Sequence, residues 1–168
     1  MRVGIIGYGV VGKTRYHSIL KNTSFRVTSI SENNSQARDE IPDNMEVFED
    51  YKALIEHANI DIVFISLPNK FAANATKLSL EKGLHVFCEK PPAKTLAELE
   101  EVFLVSQQCP NVKLMYGFNH RFHHSVEQAK LIIQDNSLGR LINMRGVYGK
   151  SQMISFNQSD WRTKREES

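Results

Sequence analysis

The sequence has few cysteines, no excess of one charge and no long apolar run, and each shortage excludes a class of protein. Cys88 and Cys109 are too few for the disulfide framework of a small secreted domain, so two reduced thiols are expected. Twenty-one basic residues against 19 acidic ones leave a net charge of +2, which gives no basic surface for nucleic acid. No stretch approaches the roughly 18 apolar residues of a membrane span, and no signal peptide precedes the first apolar run. We expect a soluble, cytoplasmic protein that binds neither nucleic acid nor membranes.

What is present is globular in proportion. Apolar residues make up 41% of the 168 positions and charged residues 24%, so the chain can bury a core. Short apolar runs alternate with longer segments of helical period, which is the pattern of βαβ units around a parallel sheet. The predicted strands are 3–6, 25–31, 60–67, 85–88 and 113–117. The predicted helices are 11–21, 51–58, 69–82 and 96–107, and residues 33–44 are predicted to form a loop with at most one short helix.

The pattern changes after Gly117. A helix-like stretch over 126–134 is followed by an alternating run over 141–148, which predicts a strand in a sheet with one solvated face. A second domain is therefore expected to begin here. One helix and one strand do not form a core of their own, so the 168 residues are expected to hold only the beginning of that domain.

A glycine-rich run follows the first predicted strand and opens the first predicted helix: Gly7-Tyr8-Gly9-Val10-Val11-Gly12. This is the context of a dinucleotide-binding loop. The first glycine permits the tight turn, the second lets the backbone approach a pyrophosphate, and the third allows the helix to pack closely on the strand. Glu32 lies about 20 residues after Gly12, where the motif places a carboxylate for the adenosine ribose.

The same run also matches a P-loop, with Gly12-Lys13-Thr14 in the Gly-Lys-Ser/Thr position. A P-loop needs an acidic residue for Mg²⁺ at the end of a second strand, and Asp61 lies at the wrong end of strand 60–67. Because a triphosphatase leaves Glu32 unexplained, the dinucleotide interpretation is favoured. The P-loop and a glycine turn without a ligand remain as alternatives.

The preferred nicotinamide cofactor follows from the charge at Glu32. A carboxylate there repels the 2′-phosphate of NADP, and no cation comes immediately after it in the sequence. NAD is therefore favoured. Arg38, in the following loop, keeps NADP possible.

Polar residues follow three predicted strands at the edge of the sheet where ligands of parallel α/β proteins bind. They form the segments Pro68-Asn69, Glu89-Lys90-Pro91-Pro92 and Gly117-Phe118-Asn119-His120-Arg121. Lys90, between a carboxylate and two prolines, is a candidate proton donor or substrate-orienting cation, the alternative being an ordinary surface turn. For His120, His123 and His124 no metal site is predicted, because no carboxylate or cysteine completes a ligand set.

Together these segments resemble the Gfo/Idh/MocA oxidoreductases, a family of NAD(P)-dependent enzymes that includes glucose–fructose oxidoreductase and inositol dehydrogenase. The resemblance rests on Gly7 to Gly12, Pro68-Asn69, Gly83-Leu84-His85-Val86-Phe87-Cys88-Glu89-Lys90-Pro91 and Gly117-Phe118-Asn119-His120-Arg121-Phe122. It implies an α/β fold: a doubly wound parallel Rossmann sheet over residues 1–118, which binds NAD(P), and over residues 119–168 the start of a truncated α+β domain for substrate and oligomerisation.

The resemblance also implies roles for individual residues. Lys90 matches the catalytic lysine near the nicotinamide and the reacting hydroxyl, and Glu89 matches a carboxylate of the cofactor pocket. Pro68 and Asn69 match the loop along the dinucleotide. The remaining matches are Asn119 and Arg121, in the segment entering the active-site cleft, and Trp161-Arg162, beside cofactor and substrate.

Two departures from the family pattern bear on function. Ala72 stands where many members have a histidine, and the chain stops before the family's Asp-Gly-x-x-His-type motif. The expected function is hydride transfer at a hydroxyl carbon of a sugar, inositol or nucleotide sugar by a homo-oligomeric full-length enzyme. The 168 residues alone are expected to bind cofactor with little turnover.

The alternative to this enzyme is a non-catalytic NAD-binding module or sensor.

Overall fold

Six short strands form one parallel sheet in the computed structural model, which describes residues 1–147 and residue 149. The strands are β1 (Arg2–Ile6), β2 (Arg26–Ser31), β3 (Glu46–Phe48), β4 (Ile62–Ile65), β5 (His85–Cys88) and β6 (Leu114–Tyr116). Their order is β3-β2-β1-β4-β5-β6, and every neighbouring pair is parallel. This is the Rossmann order, in which the connections reverse direction between β1 and β4. The carboxyl ends of these two strands therefore open a crevice for a ligand.

Five helices connect the strands: α1 (Val10–Ile19), α2 (Ser35–Arg38), α3 (Tyr51–His57), α4 (Asn69–Glu81) and α5 (Leu96–Gln108). Local chemistry sets several of their ends. The Thr95 hydroxyl accepts a hydrogen bond from the Glu98 N–H at 3.2 Å, so Thr95 is the N-cap of α5. Gly83 adopts a left-handed φ of +79° just after α4, a conformation that favours glycine and ends the helix.

The core lies on both faces of the sheet. Alternate residues of β1 belong to different clusters, because successive side chains of a strand point to opposite faces. Val3 and Ile5 pack in a cluster with Tyr16 of α1, whereas Ile6 packs in a cluster with Leu54 of α3. The sheet is thus covered by helices on both sides, as expected for buried parallel strands.

The structure departs from the predicted elements in two places of the first unit. Glu46–Phe48 forms a short strand that was not predicted, paired with β2 at the edge of the sheet. Because this strand has only three residues, its sequence shows no recognisable alternation of apolar and polar residues, and only its pairing with β2 identifies it. The strand predicted over 60–67 is shorter, at Ile62–Ile65, although the N–H groups of Asp61 and Ser66 on either side of it still donate to carbonyls of β1.

The chain divides into two compact units, of which the first includes Met1–Gly117 and the second begins at Phe118. The described part of the second unit has a 3₁₀ turn, Asn119–Phe122, and helix α6, His124–Gln134. Apart from the half-buried Ile133, each described residue after Gly117 is exposed. None of the helices in residues 1–147 is both long and apolar enough to cross a membrane.

The strand predicted over 141–148 is wrong for residues 141–147, which form no regular element. Backbone N–H and C=O groups form a strand only when a neighbouring strand pairs with them. Among the described residues of the second unit there is no such strand. Alternation of apolar and polar residues was therefore not sufficient to form one, and Tyr148 lies outside the described residues.

Candidate functional site

Residues 7–12, called the glycine turn below, lie at the carboxyl end of β1, against the ends of both neighbouring strands. Gly7 adopts a left-handed φ of +85° and its N–H donates to the Ser31 carbonyl at 2.9 Å. A Cβ on Gly7 would lie 2.6 Å from the Ser66 carbonyl oxygen, and one on Gly12 would lie 1.9 Å from the Gly7 carbonyl oxygen. The turn and the close contact of α1 with it thus require glycine at both positions, as the sequence predicts.

The N-terminus of α1 is open on the side of Gly9. This residue is the N-cap, no side chain caps the helix, and a Cβ built on Gly9 would meet no atom within 4 Å. The first N–H groups of a helix lack partners within the helix and carry its positive dipole end. An anion can therefore approach this backbone closely, which is the reason given above for the second glycine.

Glu32 is held at the end of β2 beside the same turn. Its Oε2 accepts from the Tyr8 N–H at 2.7 Å and its Oε1 accepts from the Asn34 N–H at 2.9 Å. Arg38 donates to the Glu32 carbonyl at 3.1 Å and forms an ion pair with Glu49 at 3.0 Å. The carboxylate therefore lies close to the glycine turn, and the guanidinium of Arg38 is bound to the chain.

The residues in the P-loop positions have other partners. The Lys13 ammonium pairs with Glu40 and lies 5.8 Å from the centre of the Tyr8 ring. The Thr14 hydroxyl donates to the Val10 carbonyl at 2.8 Å, within α1. Neither group is placed as a phosphate or Mg²⁺ ligand, so the geometry gives the P-loop alternative no support.

At the end of β4, the chain passes through Ser66 into α4. The Ser66 Oγ is buried without a hydrogen-bond partner among the described residues, and the carbonyl oxygen of the same residue lies beside Gly7. Pro68 is the N-cap of α4 and Asn69 its first residue, both half-buried. Ala72, where the family often has histidine, is 2% exposed within the core.

The end of β5 carries the Glu-Lys-Pro segment. The Glu89 N–H donates to the Ile65 carbonyl at 2.9 Å, and its carboxylate accepts from Arg15 Nε at 2.6 Å. Lys90, which follows, is exposed, and within residues 1–147 its ammonium forms no ion pair. The Lys90–Pro91 peptide is cis. Glu89 and the glycine turn are thus linked through α1, whereas the Lys90 side chain faces solvent.

Arg15 was not singled out from the sequence. It stands among Lys13 and His17, where a charged residue on a first helix looks like a solvated one. The available signal was its spacing: Arg15 follows Gly12 by three residues, which places both on the same face of α1, toward the sheet.

The remaining predicted site residues fall in the second unit or beyond. Asn119 and Arg121 lie on its exposed 3₁₀ turn. Trp161 and Arg162 lie outside the described residues. Whether any of these four approaches Lys90 stays a prediction.

The histidines near Asn119 lie close to one another and to Ser125. His123 Nδ1 and Ser125 Oγ are 2.9 Å apart, and the rings of His120 and His123 are 6.5 Å apart. In the described part of the chain, no three His, Cys, Asp or Glu side chains are arranged to hold a metal ion.

Three of these observations fit a dinucleotide at the crevice between β1 and β4. Space is left where a Cβ of Gly9 would stand, the N-terminus of α1 has no side-chain cap, and Ser66, whose carbonyl lies beside the turn, has a hydroxyl without a partner among the described residues. The Glu32 carboxylate at the end of β2 is placed where it could accept hydrogen bonds from ribose hydroxyls.

Comparison with known proteins agrees with this geometry. Residues 1–118 match the family model of the Gfo/Idh/MocA oxidoreductases, described as an oxidoreductase family with an NAD-binding Rossmann fold. An uncharacterized oxidoreductase, YrbE, of Bacillus subtilis is 30% identical over 81% of this chain and 40% of its own length. D-glucoside 3-dehydrogenase of Escherichia coli is 30% identical over 84% of this chain and 41% of its own length.

A solved structure shows the same fold. Scyllo-inositol dehydrogenase from Lactobacillus casei, crystallised with NAD(H) and scyllo-inositol, superposes with a TM-score of 0.76 at 30% identity. The match covers 83% of this chain and 42% of that one, so the chain spans about two fifths of the length of these relatives. The chain belongs to the Gfo/Idh/MocA oxidoreductase family, with an NAD-binding Rossmann domain over residues 1–118.

Proposed function

We propose that the protein is an NAD-dependent dehydrogenase that oxidises a hydroxyl-bearing carbon of a polyol or sugar, with inositols and glucosides the first candidates. The observation that carries the proposal is the meeting of the glycine turn, Glu32 and the Glu89-Lys90 segment at the carboxyl edge of one Rossmann sheet. The named relatives add the substrate class, since one acts on D-glucosides and another was crystallised with scyllo-inositol.

Different residues of the first unit bind different parts of the dinucleotide. The backbone at Gly9 and the N-terminus of α1 face the pyrophosphate, and Glu32 accepts hydrogen bonds from the adenosine ribose. Pro68 and Asn69 border the dinucleotide at the start of α4. When bound, NAD supplies the acceptor for the hydride, while the protein supplies binding and orientation.

Lys90 is the proposed catalytic residue. Its exposed ammonium at the end of β5 can donate a hydrogen bond to the substrate oxygen and take part in the proton transfer that accompanies oxidation of an alcohol. Asn119, Arg121, Trp161 and Arg162 are proposed to complete the cleft. In this account, residues 1–118 are the cofactor domain and residues 119–168 begin the substrate domain.

The charge at Glu32 favours NAD over NADP. Its carboxylate is fixed by the Tyr8 and Asn34 N–H groups, so it cannot turn away from a 2′-phosphate without losing both hydrogen bonds. Arg38 already pairs with Glu49 and with backbone carbonyls. We expect NADH to bind at least about tenfold more tightly than NADPH, and the Glu32→Gln variant to narrow that ratio. Equal affinity for the two cofactors would contradict this assignment.

The substrate class is tested with the full-length protein. NADH formation is followed with scyllo-inositol, myo-inositol and D-glucosides, and Lys90→Met is compared with Lys21→Ala, another exposed lysine. Lys90→Met is expected to lower turnover at least about 100-fold, the lower end of general acid–base effects, while NADH binding changes less than tenfold. Lys21→Ala is expected to keep full activity.

Two outcomes would overturn the proposal. Unchanged turnover in Lys90→Met would remove Lys90 from the reaction. NADH binding without oxidation of any polyol or sugar would favour a non-catalytic NAD-binding module. Residues 1–168 on their own are expected to bind NADH. A homo-oligomer and a cytoplasmic location stay predictions.

A further inference from the structure

Glu89 and Lys90 are neighbours of opposite charge in one turn, yet their side chains do not pair. The Glu89 carboxylate instead accepts from Arg15 Nε at 2.6 Å and forms an ion pair with the same guanidinium. The side chains of Arg15 and Glu89 are only 20% and 12% exposed. Arg15 also lies over the Phe87 ring, with 5.0 Å between the guanidinium carbon and the ring centre.

The carboxylate also occupies the space beside Gly117. A Cβ built on Gly117 would lie 2.9 Å from Glu89 Oε2 and 3.2 Å from Oε1. Glu89 therefore occupies the space that a side chain at residue 117 would need. The Gly117 N–H donates to the Cys88 carbonyl at 2.8 Å, which ties the end of β6 to the end of β5.

Arg15 is the stronger of the two possible partners for Glu89. Its planar guanidinium donates more than one hydrogen bond and stacks on Phe87, and the pair is largely shielded from water. An exposed Glu–Lys pair is worth little, because solvent screens it and two flexible side chains lose freedom. The carboxylate thus stays with Arg15 while both partners are present.

We propose that Arg15 is a positioning residue that, together with the bare backbone of Gly117, keeps the Glu89 carboxylate off Lys90 and so leaves the Lys90 ammonium available. The inference rests on the proposed function only for the use of Lys90 in hydride transfer. Which of the two cations, Arg15 or Lys90, the Glu89 carboxylate pairs with does not depend on the proposed function.

Pairing of the Glu89 carboxylate with Lys90 is measured by the rate at which the Lys90 amine is acylated. The 168-residue chain is treated briefly with acetic anhydride, and acylation of each lysine is followed by peptide mass spectrometry, with Lys21 as the internal reference. In Arg15→Ala the released carboxylate turns to the adjacent ammonium. Acylation of Lys90 is expected to slow about two- to fivefold, the factor that an exposed ion pair produces.

Charge removal distinguishes positioning from a purely structural role. In Arg15→Ala/Glu89→Gln no carboxylate is left to pair with Lys90, so its acylation is expected to return to the wild-type rate. Arg15→Lys, which keeps a cation near Glu89, is expected to give an intermediate rate. If Arg15 only stabilised the fold, the double variant would react no differently from Arg15→Ala.

Gly117→Ala provides a second route that leaves Arg15 in place. The three atoms nearest to the added methyl all belong to the Glu89 carboxyl group at the end of its side chain, so the chain is expected to fold and displace the carboxylate. Acylation of Lys90 is expected to slow, and Glu89→Gln in that background to reverse the effect. The proposal is overturned if Arg15→Ala and Gly117→Ala both leave the acylation rate of Lys90 unchanged. It is also overturned if Glu89→Gln restores the wild-type rate in neither background.

Turnover of the full-length protein then tests the consequence for the reaction. Arg15→Ala is expected to lower kcat more than it raises KM for NAD, and Glu89→Gln in that background to recover part of the loss. A full-length protein that oxidises no polyol would end the proposed function. The acylation rates would still decide whether Arg15 controls Glu89.

Discussion

The two units of the chain use their apolar side chains in opposite ways. In the first unit, Val3, Ile5 and Ile65 are completely buried between the sheet and its helices. In the second, Ile142 and Val147 are 88% and 83% exposed. The first unit thus has a core of its own, whereas the described residues of the second have apolar surface without one. The comparison teaches that order over residues 1–117 follows from packing, and that α6 rests on local helix formation.

The proposed cofactor site belongs to the packed unit. Its parts are strand ends and the first turn of α1, each fixed by backbone contacts such as those of Gly7 and Gly12. A short helix of 11 residues without tertiary packing is only marginally stable in water. Substitutions of the same kind should therefore act very differently in the two units.

Alanine in place of a glycine should give the largest difference. A Cβ at Gly12 conflicts with the backbone of Gly7, so Gly12→Ala is expected to destabilise the fold by about 3 kcal/mol or more and to abolish NADH binding. Gly146→Ala in the second unit meets no atom within 4 Å and is expected to change stability by less than about 0.5 kcal/mol. Urea unfolding and NADH fluorescence measure both effects. Equal losses would break the comparison.

Truncation of leucine should give the next largest effect. Leu54 is completely buried beneath the sheet, and Leu54→Ala is expected to lower the free energy of unfolding by about 2–5 kcal/mol. Leu131 on α6 is 56% exposed, and Leu131→Ala is expected to cost less than about 0.5 kcal/mol. A large loss in Leu131→Ala would show that α6 is packed in solution, contrary to the comparison.

The smallest effect is expected from acid. Hydrogen bonds from the Arg2 side chain and N–H hold the pKa of Asp61 at about 2, below its ordinary value. The folded chain therefore binds this proton more weakly than the unfolded chain. The Asp61 carboxylate stabilises the fold fully above its unfolded pKa of about 4, and this contribution is lost as the pH falls toward 2.

Asp61→Asn should flatten the acid side of the urea-unfolding midpoint plotted against pH. The Ser137 N–H similarly lowers the pKa of Asp135 in the second unit. Because that contact is local to a turn without a core, Asp135→Asn is expected to leave the same curve unchanged. The relevant range is about pH 5 to pH 2, which spans the unfolded and folded pKa values of Asp61. If the Asp61→Asn curve ran parallel to the wild-type curve over this range, the Asp61 carboxylate would not stabilise the fold as described.

The first unit was predictable because its signals are local. Buried parallel strands such as 62–65 are continuous apolar runs, and helix caps act within one helical turn. The glycine turn is equally local, so its geometry followed from the spacing of Gly7 and Gly12.

The elements that sequence could not predict depend on partners elsewhere in the chain. Strand β3 exists through its pairing with β2, and the run over 141–147 alternates but has no strand beside it among the described residues. Arg15 and Glu89 are 74 positions apart, so only the fold brings them together. Long-range pairing of this kind leaves no pattern in one sequence.

The most direct test of the central claim is NADH binding by Gly9→Ala. Gly9 has an ordinary extended conformation, and its Cβ would meet no protein atom, so the variant is expected to fold with at most about 1 kcal/mol lost at the helix N-cap. Its methyl would stand where the pyrophosphate approaches. The account predicts an NADH dissociation constant at least about tenfold higher, with Lys13→Ala unchanged. NADH binding that is unaffected in Gly9→Ala but lost in Lys13→Ala would contradict it.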